Sequence, residues 1–281
     1  MQDAVIVSGA RTPVGRFGGA FKDVSAPDLG AQAIRAALVR AGITPDMVEE
    51  VVLGNALQAA EMGYAARLAS LRAGIPEETP TIVINRQCSS GLEAINMAAQ
   101  LVRTGEVDIA VAGGIENMSQ SPFKLSYKSR FDGLRMGDAT LEDSLTEGLG
   151  CPVNRYHMGV TAENVAERFG VSRADQDELA LTSHQRAVSA IKNGRFKEQL
   201  ITVSIPQRRG DPLAVAADEG PREDTTLERL AQLRPVFKDG GTVTAGNASS
   251  INDGAAAVVI MSAQKARQLG LKPRLRWHTR G

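Results

Sequence analysis

The sequence predicts an α/β protein. Short apolar, β-branched runs alternate with helical spacings through roughly the first 118 residues, and that style returns after Pro235. Glycines close most of the apolar runs. Strand, helix, strand in repetition calls for a parallel sheet with helices packed on its faces.

The elements follow in order. Residues 4–8 (AVIVS) form a short apolar run ended by Gly9, the pattern of a buried strand. Residues 26–40 carry Leu29, Ala33, Ala36 and Ala37 at helical spacing, with Ser25 and Asp28 as a capping pair and Gly42 as the stop. Residues 50–53 (EVVL) and 81–84 (TIVI) read as strands, with a helix over 65–72 between them. Residues 90–102 give the clearest helix. Leu92, Ile95, Ala99 and Val102 share one face, and Ser90 with Glu93 is its expected cap. The strand 108–112 (DIAVA) then runs into Gly113–Gly114.

From Asn117 to about Thr161 the chain is rich in Gly, Ser, Met and charge, without a strong period. A structureless loop of that length is unusual, so short helices and a binding surface are expected there. Helices are expected over 161–169 and over 173–191, the latter capped by Ser172 with Asp175, and a strand over 200–205. Residues 255–261 (AAAVVIM) read as a buried strand and 262–269 as a short helix. The closing LKPRLRWHTRG holds the sole Trp and matches no strand or helix period. The predicted organisation is a first domain over 1–118 plus 250–272, an inserted loop domain over 119–249, and an atypical tail over 273–281.

Composition narrows the function classes. The 281 residues hold 32 Lys+Arg against 32 Asp+Glu, so neither nucleic acid nor an anionic membrane is an expected partner. No apolar stretch approaches the ~18 residues of a spanning helix. The start, MQDAVIVSGARTP, has no basic segment ahead of an apolar one, and two cysteines make no disulfide framework; a reducing cytoplasm is the expected location. Two cysteines and three scattered histidines lack ligand spacing, so no metal is expected. The glycines fit neither the dinucleotide-binding nor the P-loop pattern.

Cys88 is the first candidate for chemistry. It lies between the run TIVIN and a helix start, where backbone N–H groups and the macrodipole favour a thiolate, and Ser89, Ser90 and Gly91 leave room for a substrate chain. A buried structural cysteine is the plainer alternative. Cys151, in EGLGCPVNRYH, has no helix start beside it. His184 falls on the Leu181, Val188, Ile191 face of its helix and reads as a core or interface residue. His157 immediately precedes a helix start, either donating to a carbonyl or phosphate or bonding to local backbone.

Four stretches carry a resemblance: VIVSGARTPVGRFGG (5–19), NRQCSSGLEAINMAAQLVRTGEVDIAVAGGIENMS (85–119), YHMGVTAENVAERFGVSR (156–173) and QLRPVFKDGGTVTAGNASSINDGAAAVV (232–259). Together they resemble the thiolase family, acetyl-CoA acetyltransferases and 3-ketoacyl-CoA thiolases, and cover the chain to about Pro273. The resemblance implies a thiolase first domain, built on a mixed, mostly parallel sheet between helices, with an inserted loop domain, and an acyl transfer through Cys88. It implies coenzyme A contacts from Arg222 and Ser249, and a pantetheine and acyl lining from His157 and Met158. Coenzyme A and acetyl-CoA would be substrates, with no permanently bound cofactor and a homodimer or homotetramer as the assembly. NRQCSSG is closer to the degradative 3-ketoacyl type.

The family also implies a second α/β domain bearing an Asn-Glu-Ala turn, a Gly-His-Pro loop whose histidine activates the nucleophile, and a Cys-x-Gly-Gly-Gly loop whose cysteine is the acid/base. None of these motifs occurs in the 281 residues. The expectation is a chain cut short before that domain, its tail after Pro273 reading as a shifted frame or a truncated gene. An incomplete, non-catalytic coenzyme A surface is the first alternative function, and a β-ketoacyl synthase relative the second.

Overall fold

The computed structural model describes residues 1–59, 64–134 and 136–278. The chain forms two compact units, the first made of Met1–Gln120, Lys197–Glu219 and the stretch from Asn252 onward, the second of Ser121–Phe196 and Gly220–Ile251.

The first unit opens with β1 (Ala4–Arg11) and the two-residue β2 (Gly15–Arg16), then α1 (Ala26–Ala41), β3 (Glu50–Gly54), α2 (Ala65–Arg72), β4 (Thr81–Ile84), α3 (Ser90–Thr104) and β5 (Ile109–Asn117). The second unit holds β6 (Phe123–Lys124), α4 (Lys128–Asp132), β7 (Glu142–Asp143), α5 (Ser144–Gly148), α6 (Met158–Phe169) and α7 (Arg173–Lys192). β8 (Val203–Ile205) and β9 (Leu213–Val215) belong to the first unit, and α8 (Leu227–Ala231) to the second. β10 (Asn252–Ser262), α9 (Ala263–Gln268) and β11 (Leu275–Arg276) complete the first.

Among the described residues the main sheet runs β11-β1-β10-β5-β3-β4, with β2 beside β10. β3 pairs parallel with β4 and β5, and β10 lies antiparallel between β5 and β1. β1, β3, β4 and β5 therefore share one direction, and β10 is reversed. Two apolar layers form because strand side chains alternate. Val51, Val111, Val259 and Val5 join the cluster under α1 and α2, whereas Val52, Ala112, Ile260 and Ala4 join the one under α3. In β1 the register slips between Ile6 and Ser8. That bulge returns Ala10 to the α1 layer although its parity is opposite to Val7.

Helix termini follow local chemistry. Ser25 Oγ accepts the Asp28 N–H at the start of α1, and Gly42 ends it at φ +67°. Ser172 and Asp175 form a reciprocal capping box on α7.

Three observations differ from the sequence reading. β5 does not stop at Gly113–Gly114 but continues to Asn117, because those glycines admit close neighbours: a Cβ at Gly113 would lie 2.0 Å from the Ala256 carbonyl oxygen of β10. The segment Lys197–Glu219 packs with the first unit rather than with the insert. Val203 and Ile205 enter its core, and Arg11 grips Asp218 through two bonds of 2.7 and 3.0 Å. The tail also has regular structure, since β11 pairs antiparallel with β1 and Trp277 Nε1 donates to the buried Asn96 of α3 at 3.0 Å. Residues 279–281 of that tail lie outside the described residues.

Candidate functional site

Cys88 sits on a tight strand-to-helix turn. As the chain leaves β4, Asn85 donates through Nδ2 to the Ala56 carbonyl at 2.8 Å and accepts the Gln87 N–H at 3.1 Å. Gln87 adopts φ +50°, a left-handed conformation that few non-glycine residues take and that costs about 1–3 kcal/mol. The Ser89 and Ser90 N–H groups then donate to the Arg86 and Gln87 carbonyls at 3.1 and 3.0 Å. Ser90 Oγ donates to the Gln87 carbonyl at 2.6 Å and accepts the Arg86 N–H at 2.8 Å. This use of Ser90 corrects the expected capping pair: Ser89 is the N-cap residue, and its side chain makes no capping bond.

The turn leaves Cys88 exposed and free at the N-terminal end of α3. A strained strand-to-helix turn is an established way to lift a nucleophile above a sheet. The helix start is pressed onto β3, because a Cβ at Gly54 would lie 2.4 Å from the Ser90 carbonyl carbon and 2.5 Å from the Gly91 nitrogen. Glycine at position 54 thus fixes the height of the turn.

The other predicted site residues, His157, Met158, Arg222 and Ser249, lie in the second unit. His157 is the N-cap of α6 and accepts the Gly159 N–H at Nδ1, 3.0 Å away. The imidazole is stacked on Phe237, with centroids 4.9 Å apart and planes 13° from parallel. Of the two sequence readings, the local backbone bond is the one formed. Met158, next along α6, is exposed.

Ser249 is exposed at the end of a loop held from two helices. The buried Glu163 of α6 accepts the N–H groups of Thr242 and Val243, at 2.9 and 2.8 Å, and the Thr242 hydroxyl at 3.1 Å. Burial pushes this carboxyl up, but those donors outweigh it and hold Glu163 below the usual carboxylate range. The buried Asp177 of α7 accepts from Arg173 Nε at 2.7 Å and from Asn247 Nδ2 at 2.9 Å. Asn247 also accepts the Thr244 N–H at 2.7 Å.

Arg222 lies in a segment outside any helix or strand, on the wall of a cavity of about 390 Å³ shared with His184, Val188, Lys192, Glu223 and Thr225. His184 Nδ1 accepts the Arg222 main-chain N–H at 3.1 Å. Sequence reasoning missed this, since the apolar neighbours of His184 on α7 outweighed a partner 38 residues away. Cys151 is half-buried in its loop, and the Asn154 and Val153 N–H groups hold its thiol below the usual range. Among the described residues no group of three or more His, Cys, Asp or Glu is placed to hold a metal ion, and no helix is long and apolar enough to cross a membrane.

An exposed cysteine at a helix start on an α/β scaffold is a candidate nucleophile. Comparison supplies the family. Residues 4–264 match the family described as "Thiolase, N-terminal domain". A probable acetyl-CoA acyltransferase of Staphylococcus aureus (strain COL) is 50% identical over 274 residues, which are 97% of this chain and 69% of the relative. The counterpart from strain N315 is 49% identical over the same shares. The crystal structure of the Bacillus anthracis acetyl-CoA acetyltransferase superposes with a TM-score of 0.93 at 42% identity, covering 97% of this chain and 68% of that one. The chain belongs to the thiolase family, acyltransferases acting on coenzyme A thioesters.

Proposed function

We propose that Cys88 is the acyl-accepting nucleophile of a thiolase reaction, and that Arg222, Ser249, His157 and Met158 bind the coenzyme A portion of the substrate. The exposed thiol on the turn at Gln87 is the observation that carries this reading. In the degradative direction Sγ attacks the ketone carbon of a 3-ketoacyl-CoA. The bond between that carbon and its α-carbon breaks, the electron pair goes to the α-carbon, and protonation there releases acetyl-CoA. The thiol of a second coenzyme A then takes the acyl group from Cys88. Condensation is the same path reversed.

Each direction needs a base for the thiol, an acid at the α-carbon and donors where the oxyanion develops. The Gly-His-Pro and Cys-x-Gly-Gly-Gly motifs that supply the acid and base in the family are absent from these 281 residues. The 281 residues alone therefore hold the nucleophile and coenzyme A contacts of a thiolase site without its proton-transfer groups. A homodimer or homotetramer is the assembly that goes with this reading.

Two measurements test it on the purified 281-residue chain. Chloroacetyl-CoA should alkylate Cys88 faster than chloroacetamide does, with Cys151 as the internal comparison in peptide mass mapping. Equal rates for the two reagents at Cys88 would remove the coenzyme A surface from the proposal. Thiolysis of acetoacetyl-CoA should be negligible; turnover at the rate of a full-length thiolase would show that the proton-transfer groups are present after all.

A further inference from the structure

We propose that His184 is a positioning residue for coenzyme A binding, holding the main chain from which Arg222 meets the ligand. The inference rests on the reading of Arg222 as a coenzyme A contact. The geometry of α7 supports it. His184, Val188 and Lys192 recur every four residues and so line one face of the helix, the face that walls the cavity of about 390 Å³. From that face His184 accepts the Arg222 N–H at 3.1 Å, and Lys192 pairs with Glu223. Thr225 Oγ1 adds a third tie, donating to the Arg222 carbonyl at 3.2 Å.

These ties matter because residues 221–225 belong to no helix or strand, so no ladder of backbone bonds fixes them. The Arg222 side chain itself is exposed, and among the described residues its guanidinium has no hydrogen-bond or ion-pair partner. The Arg222 main chain is the part that is anchored, through the N–H and the carbonyl. An untethered segment would have to be ordered during binding, and that entropy would be subtracted from the affinity. His184 lowers this cost beforehand, with Nδ1 as the acceptor. Arg229 also holds Asp224 and Thr226 caps α8, but the His184 contact is the one made to the Arg222 N–H, and it comes from a half-buried side chain of α7.

The test is coenzyme A binding by calorimetry on the 281-residue chain, with His184→Leu, His184→Asn, Arg222→Ala and the double variant His184→Leu/Arg222→Ala. Leucine deletes the acceptor, whereas the Asn Oδ1 takes the place of Nδ1. Loss of one such bond should weaken binding about three- to tenfold in His184→Leu, with His184→Asn within about twofold of the unaltered chain. Adding His184→Leu to Arg222→Ala should bring no further loss, because the residue acts through Arg222. Melting temperatures of all variants should agree, separating positioning from folding. If His184→Leu binds normally while Arg222→Ala does not, the inference falls and the reading of Arg222 stands. Additive losses, or a His184→Asn as weak as His184→Leu, overturn it equally. Normal binding by Arg222→Ala removes the reading beneath it, and no binding by the unaltered chain removes both.

Discussion

Two buried glutamates in this chain respond to pH in opposite directions. Glu50, at the start of β3, is buried, and one of its carboxyl oxygens has no hydrogen-bond partner. Desolvation raises its pKa above the ordinary 4.5. The native state therefore binds this proton more tightly than the unfolded chain. The resulting stability is fully present below 4.5 and is lost as pH rises through the native value. Glu163 has a depressed pKa, so its contribution is present above 4.5 and is lost as pH falls through the native value. Glu50→Gln is expected to raise stability on the order of 1 kcal/mol in mildly alkaline buffer and to change it little in acid. Glu163→Gln should destabilise near neutral pH, with the deficit shrinking as the buffer is acidified. Urea denaturation across pH tests both, and parallel pH profiles for the two variants would contradict the assignment. A third residue-scale outcome concerns Gly54, where a methyl group would press on the start of α3. Gly54→Ala should cost about 1–3 kcal/mol and slow alkylation of Cys88, read by melting and mass spectrometry.

At the scale of elements, periodicity located most helices and strands, and the misses have physical causes. The Ser172 box on α7 was readable because its partners are three residues apart. Ser172→Ala should cost about 1 kcal/mol in urea denaturation, and no change would mean that the box contributes nothing measurable. The cap of α3 was misread because Ser90 spends its hydroxyl on Arg86 and Gln87, a choice dictated by the strained turn before it. Gly113 resembled a terminus because its true constraint, the β10 backbone at Ala256, is more than 140 residues away in sequence. β11 is two residues long and pairs with β1 across the whole length of the chain, so no local period could announce it. The place of Cys88 just before a helix start was legible in the run around it, while the bond from Arg222 to His184 required the fold.

The whole molecule combines zero formal net charge with an exposed apolar segment in the second unit. Phe123, Tyr127, Phe131 and Leu134 are each more than 60% exposed. With no net charge to keep copies apart, such a surface favours self-association. Light scattering should show a mass that grows with concentration, and Phe131→Glu should reduce it. A constant monomer mass at every concentration would sink this expectation.

The hydrogen bond from Trp277 to Asn96 has an optical consequence. The chain holds one tryptophan, so selective indole excitation reports on the face of α3 where Asn96 lies. Cys88 precedes the same helix, about 12 Å from Asn96 along its axis at 1.5 Å per residue. A dye on that thiol would form a donor–acceptor pair with the indole. Energy transfer between them would follow loosening of the turn under Cys88.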